Sequence, residues 1–375
     1  MKISTSTLRQ QVGQLLIIGF DGSEISPSLN SLLNRVQPAG VILFARNITT
    51  GEQTYKLLKD CRDCAPTPLF TCVDMEGGRV DRFRDVIGCA PSAADVFATG
   101  NRKLFRKHGR IIGESCHALG FNTDFAPVVD LALGASRNVM SSRAVSSHPK
   151  RVVVYAREFL TGLQSTGVIG SAKHFPGLGE ANLDTHHELP NVEKSWKKLW
   201  EEDIYPYRAM KRGLPMVLVG HAGYPAVTTS GLPASLSKKW ITDILKKKIG
   251  YKGLVISDDL EMGGVLKAAP IEQAAVEFVR AGGDLCLICH KQEGILRSHE
   301  ALIKEAERDS RFAKRVAESA TRVSTFKKKS AELKRRTSAP TPAKMEKLSR
   351  QLWEFSEQVR LANIENQGFS LQENS

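Results

Sequence analysis

The chain has 375 residues, 41% of them hydrophobic and 25% charged, with a net charge of +13. That composition excludes a disordered or fibrous chain, and no run approaches the roughly 20 apolar residues of a membrane span. Seven cysteines without framework spacing exclude a disulfide scaffold and fit reduced thiols.

In chain order, the start (MKISTSTLRQQVGQLLIIGFDG) has a short apolar run with no cleavage-type site after it, so no signal peptide is expected. Eight apolar runs follow: 14–20, 40–45, 69–74, 123–130, 169–175, 216–222, 253–259 and 284–289. They are almost continuously apolar rather than alternating, which marks strands buried on both faces of a parallel sheet. Between them, 101–119, 148–166, 197–212, 237–248 and 270–281 carry helical spacing. Eight strand–helix units over this length predict an α/β fold, a closed (β/α)8 TIM-like barrel in a single domain. A doubly wound sheet is the alternative, but GFDGSE after the first run is not the Gly-rich phosphate turn that fold uses.

The barrel domain is expected to span 1–326. A basic, Pro-rich linker follows over 327–343, with six Lys or Arg between Lys327 and Arg336. Residues 344–375 are expected to hold an amphipathic helix and a disordered tail. Met345, Leu348, Leu352, Phe355 and Val359 recur at steps of three and four, giving one apolar stripe that docks on the barrel's outside or on a partner. The basic excess reads as a solvated face and a charged tail.

The polar residues collect at strand ends, where a barrel of this kind builds its active site. The ends carry Arg46-Asn47, Asp74-Met75-Glu76 followed by Arg82, Asp130, Lys173-His174, His221 and Asp258-Asp259. Buried charge is costly unless paired, so six such ends on one rim point to chemistry rather than stability. The stretch KHFPGLGEANLDTHHELP (173–190) and the segment VISDDLEM (255–262) together supply an imidazole to move a proton, a carboxylate to orient it and another to attack carbon. That set suits displacement at a sugar's anomeric centre. Cys61-x-x-Cys64 and Cys286-x-x-Cys289 invite a zinc reading, but the second pair sits in a strand-like run where residues three apart face opposite ways.

The segments GVILFARNI, VDMEGGRVDRF, FAPVVDL, KHFPGLGEANLDTHHELP and VISDDLEM resemble, in order, the signatures of bacterial β-N-acetylhexosaminidases of glycoside hydrolase family 3. The resemblance covers about residues 10–325 and implies a retaining exo-β-N-acetylglucosaminidase. Asp258 would be the nucleophile, His186 the general acid/base and Asp184 the carboxylate orienting it. His187 competes with His186, and the Asp-x-His spacing of the family selects His186. Asp74, Arg82, Arg143, Lys173 and His174 would hold the sugar. His221 is a further candidate, with a satisfied core histidine as its alternative. Leu178 stands where the family usually has a second histidine, which implies a changed loop contact rather than lost catalysis.

No metal or cofactor is expected. The implied substrates are N-acetylglucosamine-containing peptidoglycan fragments in the cytoplasm, and a monomer is expected. A β-glucosidase-like or phosphorolytic activity of the same family is the nearer alternative. A non-enzymatic protein binding nucleic acid or anionic lipid through its basic tail is the remoter one, since the charge reads as a solvated face.

Overall fold

Each apolar run becomes one strand: β1 (Leu16–Ile18), β2 (Gly40–Ile42), β3 (Phe70–Val73), β4 (Thr123–Asp124), β5 (Ile169–Phe175), β6 (Met216–Val219), β7 (Leu254–Asp259) and β8 (Leu285–Ile288). In the computed structural model, which describes residues 5–134, 140–181, 189–335 and 337–372, they close in sequence order into a parallel barrel. The closing pair sets Ile17 beside Leu287. Fold class and strand order are therefore those read from the sequence.

β4 is shorter than its apolar run because Pro127 has no N–H to offer a ladder. The chain nevertheless continues along β5, with Val129 N–H donating to Lys173 O at 2.8 Å. The predicted helix 197–212 is two helices, Trp196–Glu201 and Tyr205–Met210, the second starting on Pro206. A proline suits a helix's first turn but not its middle.

The barrel floor is closed by the helix Ser310–Lys329. Its Val323 is buried, and its Phe326 packs against the barrel's inner cluster, its ring centre 6.0 Å from that of Phe70. Buried Asp284 pins this helix by taking Arg322 Nε at 3.1 Å and Ser319 Oγ at 3.2 Å. Lys327, on the last turn, is drawn inward: Nζ donates to Gln14 Oε1 at 2.9 Å and lies 5.2 Å from the Phe70 ring centre. Burial pushes its ammonium pKa down to about 7, while Cys72 pulls weakly the other way. A lysine depressed in the folded state makes the unfolded chain bind more protons between that value and ~10.4, so this group's penalty is full at low pH and fades as pH rises through that window. Lys327→Met is expected to stabilise the protein at pH 6 by on the order of 2 kcal/mol and to lose that advantage near pH 10. Urea unfolding at the two pH values measures it, and an advantage that does not depend on pH would contradict the assignment.

After the linker, the helix Pro342–Gln372 lies on the barrel's outside. Leu348, Leu352, Phe355 and Val359 are buried, as the apolar stripe predicts. Phe355 stacks on the His108 ring with centroids 5.8 Å apart, and Lys107 Nζ donates to Gln358 Oε1 at 2.7 Å. The helix runs to Gln372, where the sequence suggested a disordered end. Asn363 and Asn366 explain part of this, because their amides donate to the carbonyls of Asp95 at 2.9 Å and Thr99 at 3.1 Å. The helix thereby braces the stretch between β3 and the helix Arg102–Ala118, which carries one side of the rim. Phe355→Ala should lower stability by about 3–4 kcal/mol, the usual cost of emptying a phenylalanine site. Chemical denaturation reads it, and a loss below about 1 kcal/mol would mean the helix is not part of the core.

Cys61, Cys72, Cys116, Cys286 and Cys289 are free and buried, and no group of three or more His, Cys, Asp or Glu among the described residues could hold a metal ion. Among the described residues no helix is long and apolar enough to cross a membrane.

Candidate active site

The rim above the strand ends holds a chain of buried charges that begins at β3. Asp74 and Glu76 follow that strand, and the turn Gly77-Gly78 then reverses the backbone at φ of +83° and +59°. A Cβ at Gly77 would lie 2.3 Å from Pro91 O, so only glycine fits there. The reversal keeps Glu76 inside, where its carboxylate meets two cations. Arg143 grips it with Nε at 2.8 Å from Oε2 and Nη2 at 2.9 Å from Oε1. Lys173 Nζ sits 2.7 Å from Oε1 and also donates to Asp74 Oδ1 at 2.6 Å. Burial alone would raise the Glu76 pKa, but the Arg143 and Lys173 charges hold it well below the usual carboxylate range. The same partners keep Lys173 charged, since Asp74 and Glu76 outweigh its burial.

Lys173 and His174 are adjacent, yet both face this network. Strict alternation along a strand would send them to opposite faces. The pair lies where the register of β5 against β6 shifts, between Ala172 and Phe175, so regular alternation does not hold there. His174 Nδ1 lies 2.6 Å from Asp130 Oδ2, and its Nε2 lies 3.4 Å from Arg143 Nη2.

Asp258 sits one residue before the end of β7, half-buried. Burial would raise its pKa, but the His174, His221 and Lys173 charges together lower it, helped by the Asp259 N–H that donates to Oδ1 at 3.0 Å. Of these, Lys173 is the one that carries a full charge, because burial pushes His221 toward its neutral form and the Nε2 of His174 faces the Arg143 guanidinium, which leaves no room for a second ring proton. Asp258 is thus an ionised carboxylate with no fixed cation at hydrogen-bond distance among the described residues. Asp259 is turned elsewhere: its Oδ1 accepts from Glu261 N–H at 3.1 Å and Cys289 N–H at 3.2 Å, and its Oδ2 lies 3.3 Å from His290 Nε2. The two aspartates therefore divide as strand alternation predicts.

His221 is a satisfied core histidine. Its Nε2–H donates to Asp259 O at 2.9 Å and its Nδ1 accepts from the Ser235 hydroxyl at 2.7 Å. It shapes the end of β7 and has no ring nitrogen left for a ligand. Arg82 reaches the rim from the β3 side. Its guanidinium carbon lies 5.5 Å from the Phe44 ring centre, and its Nε is buried without a hydrogen-bond partner. A buried donor left open at a rim is suited to a ligand oxygen.

The geometry therefore brings Asp74, Arg143, Lys173 and His174 into one connected cluster, with Asp258 coupled to it through the Lys173 charge. Arg82 stands at the rim beside Phe44. Asp184 and His186 lie outside the described residues, as does His187. Arg143, expected to touch the sugar directly, has its guanidinium committed to Glu76. Sequence reasoning placed Glu76 and Asp130 among the polar strand ends of the rim but gave neither a role, since their partners lie far away in the chain. Leu178 is buried, and its N–H donates to Asp130 Oδ1 at 2.7 Å.

A barrel with carboxylates and cations at its carboxyl rim defines a polar-substrate enzyme, and the match that specifies it covers residues 7–326, described as the glycosyl hydrolase family 3 N terminal domain. The chain belongs to glycosyl hydrolase family 3 and is a glycoside hydrolase. Within the family it sides with proteins named β-hexosaminidase. The one from Stenotrophomonas maltophilia (strain K279a) is 33% identical over 285 residues, 74% of this chain and 84% of that protein. The one from Alkalilimnicola ehrlichii (strain MLHE-1) is 35% identical over 287 residues, 75% of this chain and 82% of that protein. Among solved structures, a family 3 β-N-acetylglucosaminidase from a Paenibacillus species superposes with a TM-score of 0.86 at 32% identity, over 93% of this chain and 69% of that one.

Proposed function

We propose that the protein is a retaining exo-β-N-acetylglucosaminidase that releases terminal β-linked N-acetylglucosamine through a covalent glycosyl–Asp258 intermediate. The observation that carries this reading is the placement of Asp258 near the end of β7, apart from the contacts that engage Asp259, with neighbouring positive charge holding its pKa below the usual carboxylate value. An ionised carboxylate at a barrel rim, with no ion pair among the described residues, is suited to attack on an anomeric carbon. The relatives named β-hexosaminidase and the Paenibacillus β-N-acetylglucosaminidase support the sugar.

In the first step Asp258 Oδ forms a bond to C1 as the C1–O bond to the leaving group breaks, and His186 gives its proton to the departing oxygen. In the second, His186 takes a proton from water as the water oxygen attacks C1 and the ester to Asp258 opens. Asp184 orients the imidazole, the part an aspartate plays for a catalytic histidine elsewhere. Asp74 accepts hydrogen bonds from sugar hydroxyls, while Lys173, His174 and Arg82 meet its oxygens; Arg143 acts from the edge of the site through Glu76 and His174. Residues 1–326 are taken as the catalytic unit, 327–343 as a linker whose first residues still belong to the floor-closing helix, and 344–375 as the terminal segment. No cofactor takes part. The resemblance of the motifs supports peptidoglycan fragments as substrates, with a cytoplasmic location to match.

Incubation with 5-fluoro-N-acetylglucosaminyl fluoride, followed by peptide mass spectrometry, tests the proposal. A single adduct on the peptide containing Asp258 is expected. Turnover of N-acetylglucosaminides without any trapped ester, or an adduct on another residue, would refute it.

A further inference from the structure

We propose that Asp130 is a positioning residue that locks His174 in the tautomer presenting a bare Nε2 to the sugar site, and that it ties this ring to the first turn after β5. Calling that place the sugar site rests on the function proposed above; the tautomer assignment does not.

Asp130 is wholly buried, and its carboxylate has three donors around it. Oδ2 faces the His174 ring Nδ1 at 2.6 Å and the His174 backbone N–H at 3.1 Å, while Oδ1 accepts from Leu178 N–H at 2.7 Å. A carboxylate so placed only accepts, so the proton on the imidazole belongs on Nδ1. The other end of the ring gives the same answer independently. Nε2 faces Arg143 Nη2 at 3.4 Å, and a guanidinium only donates. Arg143 cannot turn away easily, because Glu76 holds it through two bonds. The opposite tautomer would set N–H against N–H at one end and a lone pair against a carboxylate at the other.

Asp130 is itself fixed in register. Its segment runs beside β5, with Lys173 N–H donating to Pro127 O at 3.3 Å and Val129 N–H to Lys173 O at 2.8 Å. The bond to Leu178 N–H uses the backbone, so it survives whatever side chain stands at position 178. The neighbouring Gly177 carbonyl is held as well, accepting from Tyr224 OH at 2.7 Å. One buried carboxylate thus joins the orientation of a site histidine to the placement of the turn 176–181. A purely packing role would be filled by an apolar residue, since desolvating a carboxylate is costly.

The test has two parts. Multiple-bond ¹H–¹⁵N correlation on ring-labelled histidines, at about pH 8 where the unperturbed imidazole is neutral, reads the tautomer directly, with His174 identified by the signal lost in His174→Gln. The Nδ1–H form is expected in the wild-type protein, and a loss of that preference in Asp130→Asn, whose amide cannot accept from all three donors. A wild-type Nε2–H form overturns the proposal, and this measurement needs no variant at Asp130 to fold. Kinetics supply the second part: Asp130→Asn should lower kcat/KM on a nitrophenyl N-acetylglucosaminide about 30-fold, but less than about threefold in a His174→Ala background. Equal losses in both backgrounds would show that Asp130 does not act through His174. Should no N-acetylhexosaminide be turned over at all, the function fails while the tautomer result still stands or falls by itself.

Discussion

Replacing Asp258 by alanine is expected to lower turnover of a nitrophenyl N-acetylglucosaminide on the order of 10⁴-fold, while the protein unfolds within a few degrees of the wild-type temperature. A loss of that size is about 5.5 kcal/mol of transition-state stabilisation, far more than a lost hydrogen bond accounts for. The fold should tolerate the change because, among the described residues, Asp258 makes no ion pair at contact distance and its carboxylate accepts a hydrogen bond only from the adjacent Asp259 N–H. Removing a negative charge beside Lys173 removes some favourable field, but Asp74 and Glu76 still compensate that lysine directly. Added azide offers a sharper reading. A small anion entering the space left by the carboxylate should restore turnover of substrates with good leaving groups and give the α-glycosyl azide, since it attacks from the nucleophile's side. An Asp258→Ala enzyme within about tenfold of wild type would remove the nucleophile from the proposal.

The barrel was legible in the sequence because all eight strands are buried on both faces and so leave continuous apolar runs with polar residues at one end. What the sequence concealed is local backbone geometry. Pro127 cuts β4 to two ladder residues, and Pro206 divides a helix whose apolar spacing runs straight through it. The shift of register in β5 mattered most, because it lies where Lys173 and His174 share one network against the alternation rule. The residues that hold substrate-facing groups in place were also hidden. Asp130 and Glu76 are separated from their partners by 44 and 67 positions, and only closure of the barrel brings them together. Arg143 illustrates the same limit: the resemblance implied contact with the sugar, and its two bonds to Glu76 are visible only in the folded chain. Contacts of the terminal helix were hidden as well: the Asn363 and Asn366 amides bond to the carbonyls of Asp95 and Thr99, 268 and 267 positions away.

Glu76 is where stability and the site depend on the same atoms. Glu76→Gln is nearly isosteric, so it opens no cavity, yet it replaces one accepting oxygen with an NH₂ group among cationic donors. Arg143 keeps at most one of its two bonds, and Lys173 is left with Asp74 as its only carboxylate at contact distance among the described residues. Leaving buried cations undercompensated costs about 3–5 kcal/mol, and that loss is expected in urea unfolding at pH 7. The pH dependence has a definite sign. A carboxylate whose folded pKa is depressed adds stability that is fully present above its unfolded value of ~4.3 and is lost as pH falls through the folded value. The gap between wild type and Glu76→Gln should therefore be constant from pH 7 down to about 5 and shrink in more acidic solution. Activity should fall through kcat/KM, because both Lys173 and the Arg143 that abuts His174 lose their anchor. A variant within about 1 kcal/mol of wild type at pH 7, or a gap that widens on acidification, would mean that the Glu76 carboxylate is not what holds these cations in place.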